Sequence, residues 1–292
     1  MSDPLHSFRE TTVLGERTQE WRLMAEKCPA LALHGIAHVG ICHAAPPFEV
    51  VRLELKGAYL LSCYAGSGSV LMDGRWQRVR AGWTFMAPPH VLLAFRAESG
   101  TKWGFSWVRY QLPDKAKLVV SPASPALARF APEPLKHAVL GLFFENKEPQ
   151  SPRLLSLWAQ MIHDYVLLFV RPNPGDRRLE RLWEEVAPKL SEAWTLERMA
   201  AICFLSEEHL RRLCKKELGR SPVNHLIHLR MQKAAELLAL TEDKVEVVAT
   251  AVGYANAFVF SNTFKRWIGW RPSEYRKKRQ PSSGADQGVE PP

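Results

Sequence analysis

Between Trp194 and Arg276 the chain writes one pattern twice, and few folds accept such a repeat. Ala200 aligns with Ala249, Leu210 with Phe260, Cys214 with Phe264, Lys215-Lys216 with Lys265-Arg266, and Gly219 with Gly269. The second copy is one residue longer in its turn. Each copy predicts a helix, a tight turn and a second helix, with the small residue (Ala200 or Ala249) letting the two helices cross closely. Ser206 can cap the second helix of the first copy by accepting from its orphan amides. Behind it, Leu210, Leu213, Cys214 and Leu218 keep an i, i+3, i+4, i+8 stripe, and Phe260, Phe264 and Ile268 repeat it. The opposite faces carry Arg211, Arg212 and Lys215, then Ser261, Asn262 and Lys265. Apolar stripes of this kind bury themselves and leave the polar faces free.

Such a unit is a helix-turn-helix, whose second helix enters a major groove of DNA. Charge agrees with a polyanionic partner. The chain carries a net charge of +9, and residues 177–279 hold 20 Lys and Arg against 13 Asp and Glu. A solvated basic surface would explain the charge alone, but not the repeat as well.

The repeat resembles the DNA-binding half of the AraC/XylS family of bacterial transcription regulators, in which a linker helix joins two such units. Ala200, Ser206, Leu210 and Gly219 match the first unit, and Pro222 to Leu240 the linker. The second unit matches through Ala249-x3-Gly253-Tyr254, Phe260-Ser261-x2-Phe264-Lys265-Arg266, Gly269 and Pro272-Ser-Glu-Tyr275-Arg276. Three residues depart from the family pattern. Phe204 stands where Gly is usual, which predicts a non-glycine left-handed residue or another turn. Cys214 replaces Phe and thins the first core. Asn262 replaces a common Arg. By position, the resemblance implies base contacts from Glu208, Arg211 and Arg212 in one half-site, and from Ala257, Phe258, Ser261 and Asn262 in the next. It implies phosphate contacts from Lys215 and Lys265.

Upstream the periodicity changes from helix to strand. Segments 48–55, 58–64, 69–72, 75–79, 83–87, 91–95 and 102–110 are short and strand-like, with Ala65-Gly-Ser-Gly-Ser69 ending one and Asp73-Gly74 marking a hairpin. Many short strands with frequent turns indicate a barrel or sandwich. Their order resembles the cupin-like sensor barrel of the same family, including Gly82, Pro88-Pro89 and the closing Trp103-x3-Trp107-Val108. After Pro113 the strand pattern stops, and 134–146 and 152–170 predict two helices. The second is apolar from Leu154 to Leu168 and is expected to pack on the barrel or to carry a homodimer contact.

The expected organisation is α+β in two domains: a cupin-like ligand-sensing or dimerisation domain over 1–170, a Pro/Gly linker over 171–178 and an all-α double helix-turn-helix over 179–279. Residues 1–27 are polar throughout and show no targeting signal, and 280–292 read as a disordered tail. The longest apolar run, 158–170, is too short to span a membrane. Five cysteines without CxxC spacing predict reduced thiols in a cytoplasmic protein.

Enzyme chemistry finds little support. His34, His38 and His43 lie near one another, yet no His-x-His or matching carboxylate makes them a cupin metal set, so neither metal nor cofactor is expected. Aromatic residues are the better pocket candidates: Phe95, Trp103, Phe105 and Trp107, the last three sharing one strand face by their period of two. The resemblance adds Trp107 and Arg52, which match sugar-contacting positions in a sugar-sensing member, and His90 follows Pro88-Pro89. The sequence thus predicts a cytoplasmic DNA-binding regulator, an activator or a repressor. It would answer to a small molecule such as a sugar or sugar acid, with RNA polymerase a further partner. Two alternatives stand beside it: a cupin enzyme with an accessory DNA module, and a ligand-independent regulator whose barrel only dimerises.

Overall fold

The computed structural model describes residues 9–53, 55, 57–111, 120–147, 151–171 and 177–279. Ten antiparallel strands form a curled sheet: β1 Thr11–Leu14, β2 Gln19–Met24, β3 Ile36–Ala44, β4 Phe48–Arg52, β5 Tyr59–Met72, β6 Arg75–Arg80, β7 Trp83–Ala87, β8 Leu93–Ala97, β9 Trp103–Tyr110 and β10 Leu127–Arg129. The order is β1-β4-β8-β5-β9-β3-β2, with β6 and β7 also on β5 and β10 on β7. Helices α1 (Glu133–Lys147) and α2 (Pro152–Val170) cover one face through Leu135, Val139, Leu142, Ile162, Val166 and Phe169. Residues 172–176 of the linker expected over 171–178, and the tail at 280–292, lie outside the described residues.

Three expectations need correction. The polar N-terminal segment contains two strands, β1 and β2. Glu20 and Arg22 on β2 face the inside of the curled sheet while Leu23 packs in the core on its other side, so the strand signal is the Glu20-Trp21-Arg22-Leu23 alternation, only four residues long. The segment 65–69 does not end a strand, because β5 runs through it. Its ladder with β9 shifts between Cys63 and Ala65, and beyond the shift β5 pairs with β6 and β8. Gly68 permits this bend, since a Cβ there would stand 2.2 Å from the Trp103 ring. Finally, β10 adds a short strand after Pro113, pairing with β7 from Leu127↔Phe85 to Arg129↔Trp83. The Asp73-Gly74 hairpin forms as expected, with φ of 56° and 73° at the two positions.

The rest is helical: α3 Arg178–Val186, α4 Leu196–Ile202, α5 Glu207–Leu218, α6 Pro222–Leu240, α7 Val245–Ala251, α8 Ala257–Ile268 and α9 Pro272–Arg279. Ser206 Oγ accepts from the His209 amide at 3.3 Å, and Asn256 Oδ1 accepts from Phe258 and Val259, so each recognition helix starts on a side-chain cap. The first unit packs Leu210, Cys214 and Leu218 inward; the second packs Phe260, Phe264 and Ile268, with Phe264 edge-on to Tyr275. The α6 helix joins the units and buries Leu226, Leu229, Met231 and Leu238.

Of the two alternatives expected at Phe204, the left-handed residue is the one adopted, with φ 54° and 84% exposure. Its ring gains little burial there, so the backbone penalty has no visible compensation. Phe204→Gly should therefore stabilise the chain by about 1 kcal/mol, read as a higher midpoint in urea. No gain would show that the ring is held by contacts outside the first unit.

Helical half and barrel meet along a seam. The Ala126 amide donates to Leu218 O at 3.0 Å, and His225 Nε2 donates to Pro122 O at 2.7 Å. At the hairpin, Arg220 Nε donates to both Asp73 carboxylate oxygens, at 3.0 and 2.9 Å. Gly74 lets the hairpin reach the second unit, where a Cβ would stand 2.6 Å from Arg266 O. The barrel thus touches both helix-turn-helix units at once.

Candidate nucleic-acid interface and effector cavity

On α5, Glu208, Arg211, Arg212 and Lys215 are all exposed. Arg211 lies 3.4 Å from Glu207 and 3.8 Å from Glu208, and Arg212 lies 4.0 Å from Glu208. Exposed pairs of this kind contribute at most about 1 kcal/mol, so phosphates or bases can displace them. Lys215 instead turns toward its helix end, donating to Gly219 O at 3.3 Å beside the seam. On α8, Phe258 and Asn262 are exposed, whereas Ala257, Ser261 and Lys265 are half-buried. Phe258 and Val259, 71% and 51% exposed, give the leading turn of α8 an apolar tip that α5 lacks.

Within the barrel lies a cavity of about 90 Å³. Arg52, Phe95, Phe105 and Trp107 line it, four of the six residues that sequence singled out. The other two stand elsewhere. Trp103 is wholly buried behind Phe105, with ring centroids 4.5 Å apart, because it fills the space over Gly68. His90 sits in a left-handed turn, its amide donating to Leu55 O at 2.9 Å. Sequence reasoning missed Glu20, Arg22 and Arg109. The alternation at 103, 105 and 107, carried one step further, would have reached Arg109.

His38, weighed above only as a metal ligand, also lines the cavity. Trp107 Nε1 donates to its Nδ1 at 3.2 Å. Burial, helped by Arg22, Arg109 and Arg52, pulls the imidazole down to about 3, so the ring is neutral. Arg52 donates to Thr11 O at 3.1 Å and to Thr12 Oγ1 at 2.8 Å, which ties β1 to the cavity rim. Among the described residues no cluster of His, Cys, Asp and Glu is placed to hold a metal, and no helix is long and apolar enough to cross a membrane.

Two basic recognition helices on a common scaffold define a class, the double helix-turn-helix proteins. Residues 199–278 match a family described as a helix-turn-helix domain. The chain is 30% identical over 244 residues to the MmsAB operon regulatory protein of Pseudomonas aeruginosa, spanning 77% of each chain. It is 37% identical over 125 residues to the HTH-type transcriptional regulator MtrA of Neisseria gonorrhoeae, spanning 43% of this chain and 42% of that one. A third relative is the raffinose operon transcriptional regulatory protein RafR of Pediococcus pentosaceus, 24% identical over 217 residues, or 68% of this chain and 76% of that one. The chain belongs to the AraC/XylS family of helix-turn-helix transcription regulators. It is a sequence-specific DNA-binding regulator with an N-terminal curled β-sheet and a C-terminal double helix-turn-helix.

Proposed function

We propose that the two recognition helices read adjacent major-groove segments, and that a small molecule in the barrel cavity, such as a sugar or sugar acid, sets the response. The reading rests on one arrangement: the barrel that encloses the cavity touches both helix-turn-helix units, through Asp73–Arg220 and through Gly74 against Arg266. A ligand changes such an equilibrium only by binding one arrangement better than another, and this seam supplies something to rearrange.

Arg211 and Arg212 present guanidinium forks to bases, each worth about 1–3 kcal/mol of discrimination when bidentate to guanine. Arg212→Ala should then flatten sequence preference across single-base operator variants in a gel-shift series. Lys265→Ala should weaken every variant alike and lower the salt slope by about one. A wild-type preference profile for Arg212→Ala sinks the assignment. The second half-site, read by Ala257, Phe258, Ser261 and Asn262 without an arginine, should tolerate more mismatches in the same series.

The same reading includes a homodimer and contact with RNA polymerase at the promoter. Opposite the face that α2 packs on the barrel, Leu154, Leu157, Met161 and Leu168 form a second, exposed apolar stripe. That stripe supports α2 as the contact between two copies. Leu157→Asp should leave a monomer in sedimentation; an unchanged dimer would move the contact elsewhere.

A further inference from the structure

The tip of the β5–β6 hairpin is wedged between the two helix-turn-helix units. Asp73 holds Arg220 at the junction of α5 and α6, Gly74 lies against Arg266 near the end of α8, and Arg75 follows on β6. Beside the tip opens a cleft of about 430 Å³, lined by the hairpin, the last turns of α5 and α8 and the first turn of α6. Its charges are one-sided. Arg75, Lys215, Arg220 and Arg266 meet a single carboxylate, Asp73, which is already bonded to Arg220. Among the described residues no carboxylate pairs with Arg75, Lys215 or Arg266, and all three are exposed. The N-terminus of α6, capped by Ser221, adds the positive end of a helix dipole to the same cleft.

These cations continue the two base-reading faces. Lys215 lies four residues beyond Arg211 on α5, and Arg266 four beyond Asn262 on α8, so each stands one turn further along the same side of its helix. Successive major-groove segments on one face of a duplex are about 34 Å apart, with a minor groove and its bordering phosphates between them. A cleft that takes one wall from each recognition helix faces that intervening stretch. What it meets there is phosphate, and the hairpin brings Arg75 into reach of it.

We infer that Arg75 binds a phosphate of the DNA backbone between the two half-sites, flanked by Lys215 and Arg266, so that the barrel itself forms part of the DNA-binding surface. This rests on both recognition helices lying on one face of the duplex, and goes beyond it by placing a barrel residue on the DNA. The contact relieves a cluster of like charges that Asp73 offsets only in part, and it carries no base information. It also depends on the seam. Arg75 reaches the phosphate only while Asp73 and Gly74 are docked, so a ligand that undocks the hairpin withdraws a DNA contact at the same time.

The test measures the affinity of the full chain for a duplex that it selects from a random-sequence pool, by fluorescence anisotropy over a series of salt concentrations. Losing one phosphate contact makes the slope of log affinity against log salt shallower by about 0.9, or about eightfold in affinity at about 0.1 M salt when the curves converge near about 1 M. Arg75→Gln should show that loss equally on the selected duplex and on its single-base variants, and Arg75→Lys should restore most of it. Arg80→Gln removes the same charge from the far end of β6, outside the cleft, and should leave the slope unchanged. Arg75 is exposed, and the unfolding temperature of each variant reports that it has folded. A wild-type slope in Arg75→Gln overturns the contact. An equal drop in Arg80→Gln overturns it too, by making the effect one of overall charge, and a loss confined to the selected duplex would make Arg75 a base contact instead. If Arg212→Ala keeps the wild-type base preference while Arg75→Gln still lowers the slope, the base assignment falls and the hairpin stays on the DNA. The opposite pair of results removes the hairpin contact alone.

Discussion

Asp73→Asn should lower the stability of the full chain by about 3 kcal/mol, since it strips the charge from a buried pair and leaves its partner in place. Arg220 is 5% exposed and Asp73 14%, and the guanidinium Nε contacts both carboxylate oxygens. Asn suits the left-handed backbone at this position and keeps the turn before Gly74, so the hairpin itself should survive. What the variant loses is the anion opposite Arg220. Because the pair joins barrel and helical half, the unfolding transition should also broaden or split as the two halves lose cooperativity. A double-mutant cycle with Arg220→Met isolates the pair. Coupling near zero would mean that water or neighbouring groups solvate Arg220 in its place, and the latch would carry no weight. The position matters for function as well. Val70 is the ladder partner of the cavity residue Phe95, and Asp73 follows it on the same strand-and-turn.

Acid should destabilise the protein well before its carboxylates are protonated. His225 is pulled down to about 3 by burial and by Arg220, and His228 well below its ordinary value by burial, Arg220 and His225. With His38, also drawn down to about 3, the folded chain keeps three neutral rings that each take up a proton near pH 6.5 once unfolded. Between about pH 6.5 and 3 the unfolded chain therefore binds more protons, so stability falls as pH falls through that window. Each ring contributes up to about 1.4 kcal/mol per pH unit. The geometry of His225 agrees: Nε2 donates to Pro122 O, and Nδ1 is buried without a partner, as a neutral ring allows and an imidazolium would not. Urea unfolding at pH 7.5, 6.5 and 5.5 should show the decline, and His225→Gln should reduce its slope by roughly one proton's worth. Equal slopes would mean that His225 is already protonated or solvated in the folded chain.

The two helix-turn-helix units were legible in the sequence because a helix announces itself locally. Apolar residues recur at 3.6-residue spacing, a cap stands at Ser206, and the linker helix runs from Pro222 to Leu240. Even the left-handed Phe204 was one of two alternatives legible at its turn, since a turn's backbone depends on few neighbours. Sheet pairing is not local. At Gln19–Met24 the strand shows locally only as the four-residue alternation Glu20-Trp21-Arg22-Leu23, its charged side turned to a cavity assembled from β3, β4, β8 and β9. Gly66 and Gly68 look like a chain stop until the Lys102 carbonyl and the Trp103 ring, distant in sequence, are seen to fill the places of their Cβ atoms. The aromatic half of the cavity could be read from the period of β9, whereas its polar half, Arg22 and Arg109 with neutral His38, exists only once separate strands are curled together. Arg220 and Asp73 are likewise two ordinary surface residues until the fold buries them against each other across 147 positions of chain. Periodicity and capping act within a few residues and survive in a linear text; charge pairing, cavity walls and domain seams arise from contacts between segments, and only tertiary structure decides them.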